Sequence, residues 1–162
     1  MPTVYFAYGS NLDWAQIKER CPSVCVVNAA RLPNYRLAFS RFSSRRGCGV
    51  ADVVHDEGHD VWGVVYEIID PQDLDRLDRY EGVPNAYTRR SITVFLRGIP
   101  EQPVDVETYF AVKEPNTPLP SVEYKALIVR GAKFWRLPPE YIDELERIPC
   151  SRRLDRFGRG DL

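Results

Sequence analysis

Two histidines, one methionine and a net charge of only −1 are what this 162-residue chain offers to chemistries that depend on imidazole, thioether or a one-signed surface. The near-neutral balance removes any global pull toward nucleic acid or an anionic membrane. No apolar run is long enough to span a bilayer, and the N-terminus lacks a basic segment followed by an apolar stretch. The expected location is therefore the cytoplasm. The four cysteines, Cys21, Cys25, Cys48 and Cys150, form no C-x-x-C pair. They sit mostly among apolar neighbours, as free buried thiols do. His55 and His59 are spaced so that a zinc site is conceivable, but Asp56-Glu57-Gly58 between them reads as a polar hairpin turn, and no metal is assigned. No Ser-His-Asp or Cys-His constellation is readable.

What the chain does have is enough length and apolar content, 44% hydrophobic and 12% aromatic, for one domain with a real core. Residues 1–149 read as that single domain, and 150–162 as a basic tail, mobile or partner-bound. Segments rich in β-branched and aromatic residues predict strands at Val4–Tyr8, Val24–Ala30, Tyr35–Ser40, Gly49–Val54, Val61–Ile69, Tyr87–Leu96 and Val104–Val112, the last two as a hairpin. Helices are predicted after Asp13, after Asp70-Pro71 up to Gly82, after Pro120-Ser121 to about Lys133, and from Leu137-Pro138-Pro139 to Pro149. Many strands, few helices and no βαβ alternation predict an α+β fold with a mixed, mostly antiparallel, barrel-like core and flanking helices.

Two local features invite chemistry. The first is Val4-Tyr5-Phe6-Ala7-Tyr8-Gly9-Ser10-Asn11-Leu12, a buried strand that stops in a small-residue turn and runs directly into a helix. Asp13 is the expected N-cap, and Gln16 completes a capping-box pattern. Trp14, Ile17 and Cys21 share the apolar face. Such a turn leaves backbone N–H groups free for a carboxylate or a developing oxyanion; it is equally the form of an ordinary strand-to-helix connection, with Ser10 as a turn residue. The second is Glu81. At about 100° per residue it falls between Leu74 and Leu77, on the stripe that should face the core. Asp73, Asp75, Arg76 and Arg79 point elsewhere, as a solvated face, and Asp78 lies near the edge of the stripe. A carboxylate on a buried stripe at the negative end of a helix has its pKa raised toward the range a general acid/base needs. The other reading is a glutamate that snorkels past the helix end.

These segments resemble the gamma-glutamylcyclotransferase family. Phe-Ala-Tyr-Gly-Ser-Asn-Leu is similar to its N-terminal signature, and Leu77-Asp78-Arg79-Tyr80-Glu81-Gly82-Val83 followed by Tyr87 to the segment carrying its catalytic glutamate. Ala30-Arg31-Leu32 with Tyr35 and Phe39, Val61-Trp62-Gly63-Val64-Val65-Tyr66, Tyr124-Lys125, Gly131-Ala132-Lys133 and Leu137-Pro138-Pro139-Glu140-Tyr141 extend the likeness, in order, from about Tyr5 to about Leu145. The resemblance implies an α-amine attacking its own γ-glutamyl carbonyl to release 5-oxoproline and an amine or amino acid. Glu81 would be the acid/base; Tyr5, Phe6, Ala7, Tyr8, Gly9, Ser10, Asn11, Leu12, Tyr87 and Tyr124 would be the substrate-site residues. It implies a small γ-glutamyl substrate and no cofactor. An intramolecular reaction also needs no enzyme nucleophile, which suits the missing constellations.

Read on its own, Tyr124 shares a face with Leu127, Ile128 and Gly131 and suits a core tyrosine equally well. The chain departs from the better-known relatives at Val83-Pro84-Asn85-Ala86 and Phe134-Trp135-Arg136, both expected around the pocket, which leaves open whether the leaving group is an amino acid, a dipeptide, a lysine-type amine or a biosynthetic intermediate. A small-ligand binding or regulatory module of the same fold is the alternative; Glu81 speaks against it. A third reading, an interaction protein using Arg152, Arg153, Arg156 and Arg159, is diluted by Asp155 and Asp161, so no nucleic-acid partner is expected. Apolar surface on the C-terminal helices would suit a homodimer.

Overall fold

The computed structural model describes residues 2–151; the tail arginines at 152, 153, 156 and 159 lie outside the described residues. Five strands, β1 (Thr3–Ala7), β2 (Val24–Ser43), β3 (Cys48–Ile68), β4 (Tyr87–Leu96) and β5 (Gln102–Ala111), close on themselves in the order β1-β3-β2-β4-β5. All pairings are antiparallel except β1 with β5, which meet in parallel at Tyr5 and Glu107. The fold is thus α+β around a mixed, mostly antiparallel, barrel-like sheet. Four helices flank it: α1 (Trp14–Arg20), α2 (Pro71–Tyr80), α3 (Val122–Phe134) and α4 (Pro139–Glu146). No helix among the described residues is long and apolar enough to cross a membrane.

The core runs through the barrel. Phe6, Val64, Val65 and Tyr66 are fully buried, and Leu77, Ile128 and Leu145 bring α2, α3 and α4 onto it. Each such aliphatic side chain stabilises the fold by about 1.5–3 kcal/mol relative to exposure.

Two pairs of predicted strands are single long strands. β2 runs through what reads as a break at Arg31–Asn34, and β3 through the expected turn at Gly58–Asp60. The irregularity signalled by Pro33, Asn34 and Gly58 is a wide bulge. Pro33 pairs with Asp60 and Tyr35 with His55, so residues 56–59 oppose Asn34 alone. Asn34 and Gly58 take positive φ there, 64° and 84°, and Asn34 Oδ1 accepts the Gly58 N–H at 3.3 Å. Local turn chemistry was legible; that the ladder resumes beyond it depends on the partner strand.

The caps follow the sequence closely. Asp70 accepts the Gln72 N–H and Ser121 the Tyr124 N–H. Asp13 caps α1 by accepting the Gln16 N–H at 3.2 Å, but half of the expected capping box is missing: the Gln16 amide reaches instead to Ser10 Oγ at 2.8 Å and Asn11 Oδ1 at 2.9 Å. Nor does β1 run straight into α1, because Ser10–Leu12 form a 3₁₀ turn between them. The cysteines are all free, yet only Cys21 and Cys48 are buried; Cys25 is exposed.

Candidate active site

At the start of the site, β1 carries Tyr5 and Tyr8 into the barrel and the 3₁₀ turn presents Gly9, Ser10 and Asn11. The turn is braced from behind. Tyr66 Oη donates to the Asn11 carbonyl and Trp135 Nε1 to the Leu12 carbonyl, both at 2.9 Å. α3 lies so close at Gly131 that a Cβ there would fall 2.4 Å from the Leu12 carbonyl carbon, which is why a glycine stands in mid-helix. The Gly9 and Leu12 backbones close the turn at 3.0 Å. The Gly9 and Ser10 N–H groups donate to no backbone carbonyl among the described residues.

Opposite the turn stands Glu81, the C-cap of α2, followed by Gly82 at φ 67°. Leu77 below it is fully buried, so the stripe that holds the helix to the core also aims Glu81 at the turn. Asn11 Nδ2 lies 3.3 Å from Glu81 Oε1 and 3.1 Å from Tyr5 Oη. The Asn11 side-chain Oδ1 accepts from Arg20 Nη1 at 3.1 Å and from Gln16 Nε2 at 2.9 Å. That fixes the amide so that its NH₂ faces the carboxylate.

The carboxylate belongs to two connected spaces. An inner recess of about 40 Å³ is walled by Tyr5, Tyr8, Gly9, Asn11, Ala51 and Tyr109. An outer cleft of about 330 Å³ opens from it past Ser10, Glu81, Tyr87 and Tyr124, residues common to both. Glu81 keeps part of its surface open to this cleft. Burial nonetheless raises its pKa above the ordinary value, against the opposing pull of Arg20, Arg46, Arg45 and the Asn11 hydrogen bond.

The tyrosines are held neutral. Burial drives Tyr5, Tyr8 and Tyr87 well up, and the negative charges nearby add to that; Tyr124 is pushed to about 12, burial again leading. Two of their hydroxyls grip one residue of β3: Tyr124 Oη accepts the Ala51 N–H at 3.0 Å, and Tyr87 Oη donates to the Ala51 carbonyl at 2.6 Å. Tyr8 Oη donates to the Tyr109 carbonyl at 2.5 Å.

Of the residues singled out from sequence, Tyr5, Tyr8, Gly9, Ser10, Asn11, Glu81, Tyr87 and Tyr124 converge on the recess. Phe6, Ala7 and Leu12 do not. They are buried in the core, and Phe6 faces away from Tyr5 as strand alternation requires. Trp135, expected near the pocket, is behind the turn, stacked edge-on against Trp14 at 5.7 Å, whereas Ala86 does line the cleft. Asp73, read as part of a solvated face, is buried and accepts the Ser23 N–H at 2.8 Å. Asp78, near the edge of the stripe, accepts from Tyr109 Oη at 2.6 Å.

Residues that sequence reasoning passed over are Ala51, Tyr109 and Asp52. Asp52 is wholly buried; its Oδ1 accepts the Val53 and Ala111 N–H groups and its Oδ2 has no partner among the described residues. An aspartate inside the apolar Gly49–Val54 run was the available signal.

Among the described residues the mouth of the barrel presents one desolvated carboxylate beside backbone N–H groups that donate to no backbone carbonyl, the class of site suited to proton transfer. Neither histidine lines the cleft, so no imidazole is placed to activate a nucleophile there. Comparison with known proteins gives the class its family. Residues 5–127 match the family described as Gamma-glutamyl cyclotransferase, AIG2-like. The chain is similar to a gamma-glutamylcyclotransferase of Mus musculus, 36% identical over 150 residues, 90% of this chain and 78% of that one. With the Homo sapiens gamma-glutamylcyclotransferase the identity is 33% over the same shares. A solved gamma-glutamyl cyclotransferase superposes with a TM-score of 0.87 at 30% identity, over 99% of this chain and 94% of that one. The chain belongs to the gamma-glutamyl cyclotransferase, AIG2-like family.

Proposed function

We propose that this enzyme cyclises the γ-glutamyl group of a small amide, releasing 5-oxoproline and an amine, with Glu81 as the single general acid/base. The observation that carries the assignment of Glu81 is its place: one carboxylate of raised pKa, shared between the recess and the cleft, facing the turn.

The substrate's α-amine enters mostly as an ammonium, since its reference pKa is about 8. Ionised Glu81 takes a proton from it. The freed nitrogen attacks the γ-carbonyl carbon and closes the five-membered ring. The oxygen becomes an oxyanion, for which the Gly9 and Ser10 N–H groups, bonded to no backbone carbonyl among the described residues, are the donors; preorganised donors of this kind act where charge develops. The C–N bond to the leaving group then breaks as Glu81 returns its proton to the departing nitrogen. The ring nitrogen, which still carries two hydrogens after the attack, gives up the second by way of Glu81 to the released amine, which leaves as an ammonium. The acid form is accessible because burial has raised the pKa, and the base form because three arginines keep the rise in check.

Tyr5, Tyr8, Asn11, Tyr87 and Tyr124 shape the recess around the reacting atoms, and the recess has room for the reacting end of a substrate rather than for a whole side chain. The same reading treats the described domain as one catalytic unit working in a reducing, cytosolic setting, consistent with four free cysteines.

The test is to incubate the purified protein with γ-glutamyl amino acids and γ-glutamyl amines, beside Glu81→Gln, and to quantify 5-oxoproline by mass spectrometry. Product from the native chain and none from a folded variant supports the assignment. Ligand binding in a thermal-shift assay without product from any substrate would favour a binding module instead.

A further inference from the structure

The outer cleft has a charge imbalance that cyclisation does not need. Arg20, Arg45, Arg46 and Arg79 line it, and Glu81 is the one acid on its wall among the described residues. None of the four arginines has a carboxylate partner within ion-pair distance among the described residues. Arg41, also on the wall, is set apart by its pairing with Glu114. A γ-glutamyl group brings an ammonium and a carboxylate and leaves the balance unchanged. The rest of the substrate therefore meets an excess of three positive charges.

Three of these guanidiniums, those of Arg20, Arg45 and Arg46, are held in place. Arg46 Nη2 bonds Gln16 Oε1 at 2.9 Å and Ser10 Oγ at 3.4 Å, and its guanidinium lies 5.2 Å from the Tyr124 ring centre. Arg45 Nη2 reaches the Tyr80 carbonyl at 3.4 Å and stands 5.7 Å from the Tyr80 ring, against which Arg20 also packs at 4.7 Å. Stacking on aromatic rings fixes a guanidinium while leaving its N–H fork open to a carboxylate. The ring of Tyr80 thus ties the β2–β3 hairpin to the end of α2 that bears Glu81.

Resting on the cyclotransferase reading, we propose that Arg45, Arg46 and Arg79 form the leaving-group subsite and select amines that carry carboxylates, acidic amino acids above all, over cationic amines. Like-charge approach disfavours a polyamine or a lysine-type side chain at this rim. A leaving group with two carboxylates finds a fork for each.

The test holds the γ-glutamyl group constant and varies the leaving charge: γ-glutamyl-glutamate, γ-glutamyl-alanine and γ-glutamyl-putrescine, each followed by 5-oxoproline release. The expected kcat/KM falls in that order, with about tenfold or more between the ends at low salt, shrinking as ionic strength rises. Arg45→Gln with Arg79→Gln should compress the ratio toward unity, and Arg45→Lys with Arg79→Lys should restore much of it. If the double variant fails to fold, the salt dependence of the ratio in the native chain decides alone. Equal turnover of the three substrates, or a preference for the cationic one, overturns the subsite while cyclotransfer stands. No 5-oxoproline from any of them overturns both.

Discussion

The two ends of α2 hold two carboxylates whose pKa values desolvation pushes the same way, and the fold treats them oppositely. Asp73, in the first turn, is 3% exposed. Desolvation pushes its pKa up, but hydrogen bonding with Ser23 and the charges of Arg76 and Lys18 prevail and leave it lowered. The helix N-terminus favours the same anion. Glu81, at the other end, has the unfavourable pole of the helix, one long hydrogen bond from Asn11, and a pKa that is raised because desolvation prevails over Arg20, Arg46 and Arg45. One carboxylate is committed to holding the chain at Ser23. The other is left under-bonded facing the cleft. On the proposed function, the difference separates a structural anion from the one that exchanges protons.

The largest effect that would sharpen this contrast is kinetic. Glu81→Gln removes the only acid on the wall of the cleft among the described residues and should lower kcat by about 10²–10⁴-fold, read as initial 5-oxoproline release. Asp73→Ala should leave kcat unchanged and instead lower stability by about 1–3 kcal/mol, the cost of a buried N–H deprived of its acceptor, read by urea unfolding. A loss of catalysis in the Asp73 variant at full stability would break the division of labour.

Sequence carried one side of this contrast and missed the other. Glu81 was legible because its place on the Leu74–Leu77 stripe is a matter of helical period, and Asp70-Pro71 and Gly82 marked where the helix starts and stops. Asp73 is outside that stripe. What buries it is the Ser23 segment, 50 residues away in the chain, a contact that period cannot reveal. The same holds for Asp52, Ala51 and Tyr109, which reach the site through strand pairing across the barrel. The turn at Tyr8–Asn11 was readable as a strand stop with free N–H groups; that Tyr66 and Trp135 brace it came only with the packing of β3 and α3. The long strands read as broken in the sequence because Pro33, Asn34 and Gly58 look like turns, and a bulge uses the same residues as a turn.

A smaller effect should appear in the pH profile. Below its raised pKa Glu81 is neutral and takes no proton, so kcat/KM should fall on the acid side with a midpoint above 4.5, the ordinary glutamate value. Arg20 is the foremost group holding that midpoint down. Arg20→Gln, which keeps a donor for Asn11, should move the acid limb upward. An acid limb at or below the ordinary value would remove the distinction between the two ends of the helix.

The smallest effect concerns stability, and its sign separates the two carboxylates most cleanly. Glu81 binds its proton more tightly folded than unfolded, so the native state loses stability as pH rises from the unfolded to the folded value, and the deficit persists at neutral pH. Removing the charge relieves it. Glu81→Gln should be more stable than the native chain at pH 7, by about 0.5–2 kcal/mol as for other site residues that trade stability for function, and the advantage should vanish below the unfolded glutamate pKa. Asp73 runs the other way. Its folded pKa is depressed, so it stabilises the fold above the unfolded aspartate value and that contribution is lost as pH falls through the folded one. Asp73→Asn should therefore cost most at neutral pH and least in acid. Two urea series, at pH 7 and near pH 3, check both slopes; curves that converge in acid from opposite sides of the native chain are the expected result.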